Sequence, residues 1–398
     1  KAVLDNAEEL SKMAVSETKM GNWEHKVLKN RLAAARTPGV EDLNSEAMSG
    51  DNGLTLVEFS PFGVIGAITP TTNPTETIIC NTIGMIAAGN GVVFSPHPMA
   101  KAVSIRMIEI INEAVIQAGG PQNIITSILE PTIEQANNLM KHPKVKMLVA
   151  TGGPAVVKAV LSSGKKAIGA GAGNPPALID ETADIEQAAR DVILGCSFDN
   201  NLPCIAEKEV IAVEQIADRL IGCMKESGAY FVASGEVLAR MENLLLVGGK
   251  TVNKEYVGKS AFKIMSDLGI PCGEDVKVIS MVTDCGHPFV QHELMMPVLP
   301  VVRVRNVEEG IKTAIEVEHG FRHTAMMHSM DVGRLSKFAK AIQTTIFVKN
   351  GPSYAGIGFG GEGFTTFTIA GPTGEGLTSA KTFARKRRCV LTNAFNIK

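Results

Sequence analysis

The chain has 398 residues, 45% of them hydrophobic, more than one ordinary domain holds and enough for two or three packed units. Lys+Arg at 39 against Asp+Glu at 41 gives a formal net charge of -2, so no global field draws in nucleic acid or an anionic membrane. No run of about 18 uncharged apolar residues is present to span a bilayer. The cysteines are odd in number and form no close pairs, which fits free thiols in a reducing, cytoplasmic compartment rather than a disulfide framework.

In chain order, residues 1 to about 35 read as amphipathic helix, without the charge and apolar blocks of a signal peptide. A polar stretch with Ser45, Gly50, Asp51, Asn52 and Gly53 breaks that pattern. LTLVEFSPFGVIGAI (54–68) then gives two β-rich runs around Ser60-Pro61, a ribbon leading into a buried strand. Beyond Pro70 the order is regular: helix 75–88, strand 91–95, helix 99–118, strand 123–129, helix 132–141, strand 145–150 and helix 154–162. The pattern restarts at PPALID (175–180), with helix 184–196, a polar loop, strand 207–214 and helix 215–227. Such alternation predicts an α/β protein with parallel sheets covered on both faces. The last eighteen residues, KTFARKRRCVLTNAFNIK, alternate like a strand again, and a ribbon of this kind pairs with the one near 45–61 or with a second subunit. The short run Arg385–Arg388 reads as a solvated strand face or a subunit contact, being too small for a nucleic-acid patch.

Several stretches can carry chemistry. In ATGGPAVVKAV (150–160) a strand ends, Thr151, Gly152 and Gly153 turn, and a helix begins. Glycines there let backbone approach a pyrophosphate at a helix N-terminus, although a purely structural βα turn has the same spelling. Cys80, Cys196 and Cys223 lie in apolar helical patterns and read as core thiols. Cys272 and Cys285 fall in Gly/Pro turns. Cys204 differs, because SFDNNLPC (197–204) is a polar loop between helix and strand, where a thiol can be exposed near amide donors as a nucleophile requires. Cys285, His287 and His292 are too few to hold a metal. His319, His323 and His328 read as solvated or packed. YAGIGFGGEGF (354–364) lacks the GK[ST] of a P-loop, which leaves a shaped loop near a site.

Together these stretches resemble the aldehyde dehydrogenase superfamily, and most closely its CoA-acylating branch, the acetaldehyde and propionaldehyde dehydrogenases of the ethanolamine and propanediol microcompartments. The resemblance spans essentially the whole chain and keeps the motif order. PFGVIGAITPTTNP (61–74) resembles the strand-to-helix entry, ATGGP the cofactor-phosphate turn, and SFDNNLPC the loop of the catalytic cysteine. HELMMPVLPV (292–301) is similar to the stretch whose glutamate binds the nicotinamide ribose, here Glu293, and GGEGFTTFTIAGPTGEGLTSAKTF (360–383) to the C-terminal region of the acylating branch.

The resemblance implies a Rossmann-like domain for NAD and CoA (1–44 and 62–171), a catalytic domain (172–373) and an oligomerisation ribbon (45–61 and 374–398). It implies that Cys204 attacks a short aldehyde, that Thr151, Gly152 and Gly153 meet the cofactor phosphates, and that the acyl thioester passes to CoA. Ser95, with Pro96 beside it, stands where the family has a lysine near the adenosine ribose; NAD is the implied cofactor and NADP the alternative. An ungapped match puts the oxyanion asparagine on Thr72, and Asn73 is preferred because only an amide supplies the N–H donor. Gly169 stands where hydrolytic relatives carry the glutamate that activates water, which favours acyl transfer over release of a free acid. A hydrolytic enzyme and a catalytically idle assembly protein are the rival readings. The implied assembly is a homodimer or a dimer of dimers. The chain opens abruptly, so the N-terminal piece that can direct microcompartment relatives into their shell is expected to be missing here.

Overall fold

The computed structural model describes residues 1–393, 395 and 396. The chain divides into two compact units: Lys1–Leu10, Lys29–Ala170 and Phe364–Lys398 form the first, Ser11–Leu28 and Gly171–Gly363 the second. The N-terminal helical pattern is broken into helices Ala2–Asp5, Ala7–Thr18 and Trp23–Arg36, because Lys19 and Gly21 adopt positive φ and turn the chain between the last two.

In the first unit, β1 (Glu46–Gly50) and β2 (Gly53–Pro61) precede β3 (Val64–Ile68), β4 (Gly91–Ser95), β5 (Ile125–Ser127), β6 (Val145–Thr151) and β7 (Lys166–Ala170). Strands β3 to β7 make a parallel sheet in the order β5-β4-β3-β6-β7. In β6, Met147, Leu148, Val149 and Ala150 in succession have no exposure, the continuous apolar run of a strand covered on both faces. Burying each of the larger side chains stabilises the unit by roughly 1.5–3 kcal/mol. The strand order reverses at β3, which makes the space beyond the C-terminal ends of β3 and β6 a topological switch point. Helices Pro74–Ala87 and Pro154–Leu161 both start there with proline in the first turn, where a missing N–H costs nothing.

In the second unit, β8 (Pro176–Ile179), β9 (Glu209–Val213), β10 (Ala229–Val232), β11 (Val278–Thr283), β12 (Val298–Val304), β13 (Thr324–His328) and β14 (Ile346–Lys349) form one parallel sheet ordered β10-β11-β12-β9-β8-β13-β14. Its central strands β8, β9 and β13 are buried at every residue. The first unit's ribbon is completed by β15 (Ala384–Thr392), which pairs antiparallel with β2 to give the order β1-β2-β15. The two ribbons foreseen in the sequence thus pair with each other within one chain. Ala394, Ile397 and Lys398, also assigned to that ribbon, lie outside the described residues.

The units differ from the expected segmentation in two places. Residues 364–373 belong with the first unit, where Thr366 bonds Thr378 at 2.9 Å and Thr368 bonds Asn81 at 3.0 Å. Residues 11–28 belong with the second, because Asn22, His25 and Lys26 all bind Asp199. Neither bond set has a local sequence pattern.

Candidate functional site

The first unit gathers its candidates past the C-terminal ends of three adjacent strands. Ser95 closes β4, buried, with its carbonyl accepting the Thr69 N–H at 3.2 Å, and Pro96 is buried beside it. β6 closes at Thr151, whose hydroxyl lies 2.8 Å from that of Thr368. Gly152 donates its N–H to the Ala170 carbonyl at 3.0 Å, so this turn's anion-binding donors lie further on. Gly153 is the N-cap of helix Pro154–Leu161, and nothing lies within 4 Å of where a Cβ on it would stand. The N–H groups of Ala155 and Val156 follow, without intrahelical acceptors and at the positive end of the helix dipole. An approachable backbone with orphan donors suits a pyrophosphate.

Asn73 occupies the N-cap of helix Pro74–Ala87 and is 6% exposed, yet its side chain makes no capping bond. Its Oδ1 instead accepts from Lys29 Nζ at 2.5 Å, and its Nδ2 contacts Thr72 Oγ1 at 3.3 Å. Lys29 Nζ is also 2.9 Å from Glu76 Oε1, with both side chains wholly buried.

In the second unit, helix Ile185–Ser197, capped by Asp184 through the Gln187 N–H, runs into the cysteine loop. Asp199, Asn200 and Asn201 then take φ of 49°, 53° and 66° in succession. Left-handed backbone costs a non-glycine residue about 1 kcal/mol or more, so three in a row persist only where partners fix them. Asp199 carboxylate oxygens accept from Asn22 N–H at 2.7 Å and Lys26 Nζ at 3.0 Å, and its own N–H donates to His25 Nδ1 at 2.9 Å. Asn200 Nδ2 donates to the Gly258 carbonyl at 2.9 Å. Asn201 Nδ2 donates to the carbonyls of Cys196 and Glu207, and Lys208 Nζ donates to its Oδ1 at 2.6 Å and its carbonyl at 3.1 Å. Phe198, ahead of the triplet, stacks on His25 at 4.9 Å and on Phe359 at 5.6 Å, with Tyr354 at 5.2 Å, so the glycine-rich stretch clamps the loop's root.

Within residues 201–213 every residue is buried except Cys204, which is half-buried. The other thiols separate by the same measure. Burial pushes the Cys80 thiol up to about 12 and raises that of Cys196 further, which keeps both protonated and unreactive. Cys223 is half-exposed on helix Glu214–Glu226 rather than in the core as its pattern suggested.

Gly173 is the junction of this site. Its N–H donates to the Glu293 carboxylate, and a Cβ on it would come within 2.9 Å of the Cys204 carbonyl and 2.8 Å of His323 Cγ. Glu293, Cys204 and His323 therefore converge on one backbone position where no side chain fits. Desolvation raises the Glu293 pKa, while the Lys208 charge and the Gly173 N–H hold it down. Burial lowers the Lys208 pKa, and Glu293, Cys196, Cys204 and Glu209 pull it back up. His323 is driven down to about 4, first by burial and then by Lys208, so its imidazole is neutral at physiological pH. Its Nδ1 lies 2.9 Å from Thr324 Oγ1, and its Nε2 has no hydrogen-bond partner among the described residues. With Nδ1 donating to Thr324, Nε2 keeps a lone pair, and the imidazole resists protonation.

Sequence reasoning filed His323 with packed histidines and passed over Lys208. A signal for the latter was present: Glu207, Lys208 and Glu209 are three charges heading a strand that is otherwise apolar, and all three are buried. Gly169 sits inside β7, and a Cβ there would come 2.6 Å from Val157 Cγ1 on the covering helix. The position matched to the hydrolytic glutamate thus faces packed helix and has no room for a carboxylate.

A profile of the aldehyde dehydrogenase family matches residues 3–233. The chain is 52% identical to the propanal dehydrogenase (CoA-propanoylating) of Citrobacter freundii over 390 residues, 98% of this chain and 84% of that protein. The crystal structure of Rhodopseudomonas palustris propionaldehyde dehydrogenase with bound CoA and an acylated cysteine superposes with a TM-score of 0.98 at 63% identity, covering 99% of this chain and 90% of that one. A propionaldehyde dehydrogenase from the Clostridium phytofermentans fucose utilisation bacterial microcompartment superposes with a TM-score of 0.98 at 53% identity, covering 100% and 91%.

Proposed function

The chain belongs to the aldehyde dehydrogenase family, and from that we propose that it oxidises a short aldehyde, acetaldehyde or propanal, to the acyl-CoA with NAD and CoA. The observation that carries this reading is Cys204, the one residue of a buried stretch to reach the surface, beside a neutral imidazole and a buried ammonium.

Cys204 attacks as thiolate at the carbonyl carbon. The oxyanion accepts from the Cys204 N–H and the Asn73 amide; removing one such donor costs about 3 kcal/mol of transition-state stabilisation. Collapse of the adduct expels hydride and leaves an acyl thioester on Cys204. Bound NAD supplies the hydride acceptor, and CoA the thiol that carries the acyl group away. Glu293 orients the nicotinamide ribose. Gly153 and the helix start behind it, with Thr151, Gly152, Ser95 and Pro96, take the pyrophosphate and adenosine ends of NAD and CoA in turn. CoA attacks the thioester carbonyl as its thiolate, its thiol proton having passed to solvent. The bond to Cys204 Sγ then breaks and the enzyme thiolate is restored, a ping-pong sequence.

The test is NADH formation from propanal with and without CoA, with the acid and thioester products measured. Propanoyl-CoA as the dominant product supports the reading. Free acid released as fast without CoA would install the hydrolytic alternative.

No helix among the described residues is long and apolar enough to cross a membrane. We place the protein in the cytoplasm, housed in a microcompartment as the Clostridium phytofermentans relative is. Both faces of β15 are open, with Val390 exposed on one and Leu391 on the other, which supports a homodimer or dimer of dimers. Sedimentation at micromolar concentration checks this, and a stable monomer refutes it.

A further inference from the structure

We infer that Lys29 is a positioning residue for Asn73: it decides which end of that carboxamide is presented to the reacting carbonyl. The inference rests on the reading of Asn73 as an oxyanion donor. An amide has two ends of nearly equal shape, and a reversed Asn73 would offer a carbonyl oxygen where a donor is required. An ammonium has three donors and no acceptor. Lys29 Nζ lies 2.5 Å from one branch of the amide, so that branch is Oδ1, and the NH2 branch points away. Of its two protons, one makes the 3.3 Å contact to Thr72 Oγ1, and no other acceptor for Nδ2 is found among the described residues. Glu76 keeps the ammonium in place from one turn along the helix that Asn73 begins. Its Oε1 is 2.9 Å from Lys29 Nζ, and its Oε2 accepts from Thr75 Oγ1 at 3.0 Å.

Two features argue that this arrangement serves orientation and not merely stability. An N-cap asparagine ordinarily accepts a first-turn N–H, a bond worth about 1 kcal/mol, and Asn73 gives that up to face Lys29. A buried lysine–carboxylate pair is often no more stabilising than apolar side chains of the same size. Both side chains are nevertheless fully buried here, with the Phe367 ring 5.8 Å from the ammonium.

The experiment is a mutant cycle on the full chain: Lys29→Met with Glu76→Met, Asn73→Ala, and all three together. Removing both charges at once avoids stranding one. Each variant is checked by circular dichroism and NAD titration, then read by the single-turnover rate of NADH formation from propanal. Asn73→Ala should lower that rate about 10²-fold or more. The Met pair should lower it about tenfold with NAD affinity unchanged, and the triple variant should be no slower than Asn73→Ala alone. A Met pair as fast as the native protein overturns the inference, as does a triple variant in which the two losses multiply. Native rates in Asn73→Ala would instead sink the reading of Asn73, and the inference with it. Should the Met pair fail to fold, Lys29→Gln with Glu76→Gln takes its place under the same criteria.

Discussion

The two parallel sheets present their candidate residues at opposite edges. In the first unit, Ser95, Asn73 and Thr151–Gly153 follow the C-terminal ends of β4, β3 and β6, where helices begin. In the second, Gly173, Cys204, Glu293 and His323 precede the N-terminal ends of β8, β9, β12 and β13, where helices Ile185–Ser197 and Val307–Val317 come to their ends. Helix starts favour anions and helix ends oppose them. A phosphate-binding edge can therefore be made of bare backbone. An edge that holds a thiolate and a carboxylate has to import positive charge, and the second unit does so with buried Lys208 and Lys26. The same contrast shows in rigidity: one hydroxyl contact and one backbone bond shape the Thr151–Gly152 turn, whereas each of Asp199, Asn200 and Asn201 is braced by side-chain bonds.

Substitutions should therefore fall hardest on the second edge. Cys204→Ala should lower NADH formation by more than about 10³-fold in a folded protein, and substantial turnover would remove the nucleophile from this loop altogether. Lys26→Met comes next, since it strands the buried Asp199 carboxylate and releases the left-handed triplet. A loss of about 3–5 kcal/mol is expected, visible as a large drop in Tm; an unchanged Tm would show that the braces are not what holds the loop. Glu293→Gln should slow single-turnover hydride transfer about tenfold while dinucleotide Kd moves little, because it orients the ring and does not anchor the phosphates. Equal losses in both would reverse that division of labour.

The next effect is a pH dependence. His323 and His328 are both driven to about 4 by burial. Between about 6.5 and 4 the unfolded chain binds protons that the folded one does not, so they make stability fall as pH drops through that window. Glu207, raised to about 7 by burial, has the opposite sign, and its share of stability is lost as pH rises from 4.5 through 7. His328→Gln isolates the first effect: relative to the native protein its Tm should improve as pH falls from 6.5 to 4 and stay level above 7. A difference independent of pH would mean that His328 takes up its proton as readily in the fold as in the unfolded chain. The smallest effect belongs to the first edge. Gly153→Ala meets nothing within 4 Å and keeps an ordinary φ of -65°, so Tm should hold while NAD Kd rises about threefold, under 1 kcal/mol. A marked Tm loss there would show that this turn is braced after all.

Strands β3 to β6, β8 and β9 were legible because covered strands spell apolar runs, such as 147–150 and 210–213, whereas β7, β10 to β12 and β14 were not read from the sequence. Cys204 stood out for a similar reason, as a thiol after a polar loop and a proline. The buried lysines did not stand out, since a lysine in a helix reads as solvated until its partner is known. Lys26 meets Asp199 across 173 positions and Lys29 meets Asn73 across 44, distances at which no periodicity speaks. His323 was hidden differently: only the absence of a Cβ on Gly173 brings it to the Cys204 carbonyl. The switch-point rule located the first edge and would have looked at the wrong end of the second sheet.

The pairing of β2 with β15 also sets a timetable. Pro61 lies opposite Ala384, so at ribosomal speeds of about 5–20 residues per second the edge of β2 waits roughly 15–65 s for its neighbour during synthesis. An unpaired strand edge in that interval is a template for other nascent chains. The charges that line the eventual pair, Glu58 on β2 and Arg385, Lys386, Arg387 and Arg388 on β15, do not serve a buried core, since the four basic residues remain exposed. Glu58 opposite Arg387 favours closure of the pair within the chain. Neutralising those four side chains should leave the finished enzyme's chemistry intact and lower the fraction of newly made chains that reach it.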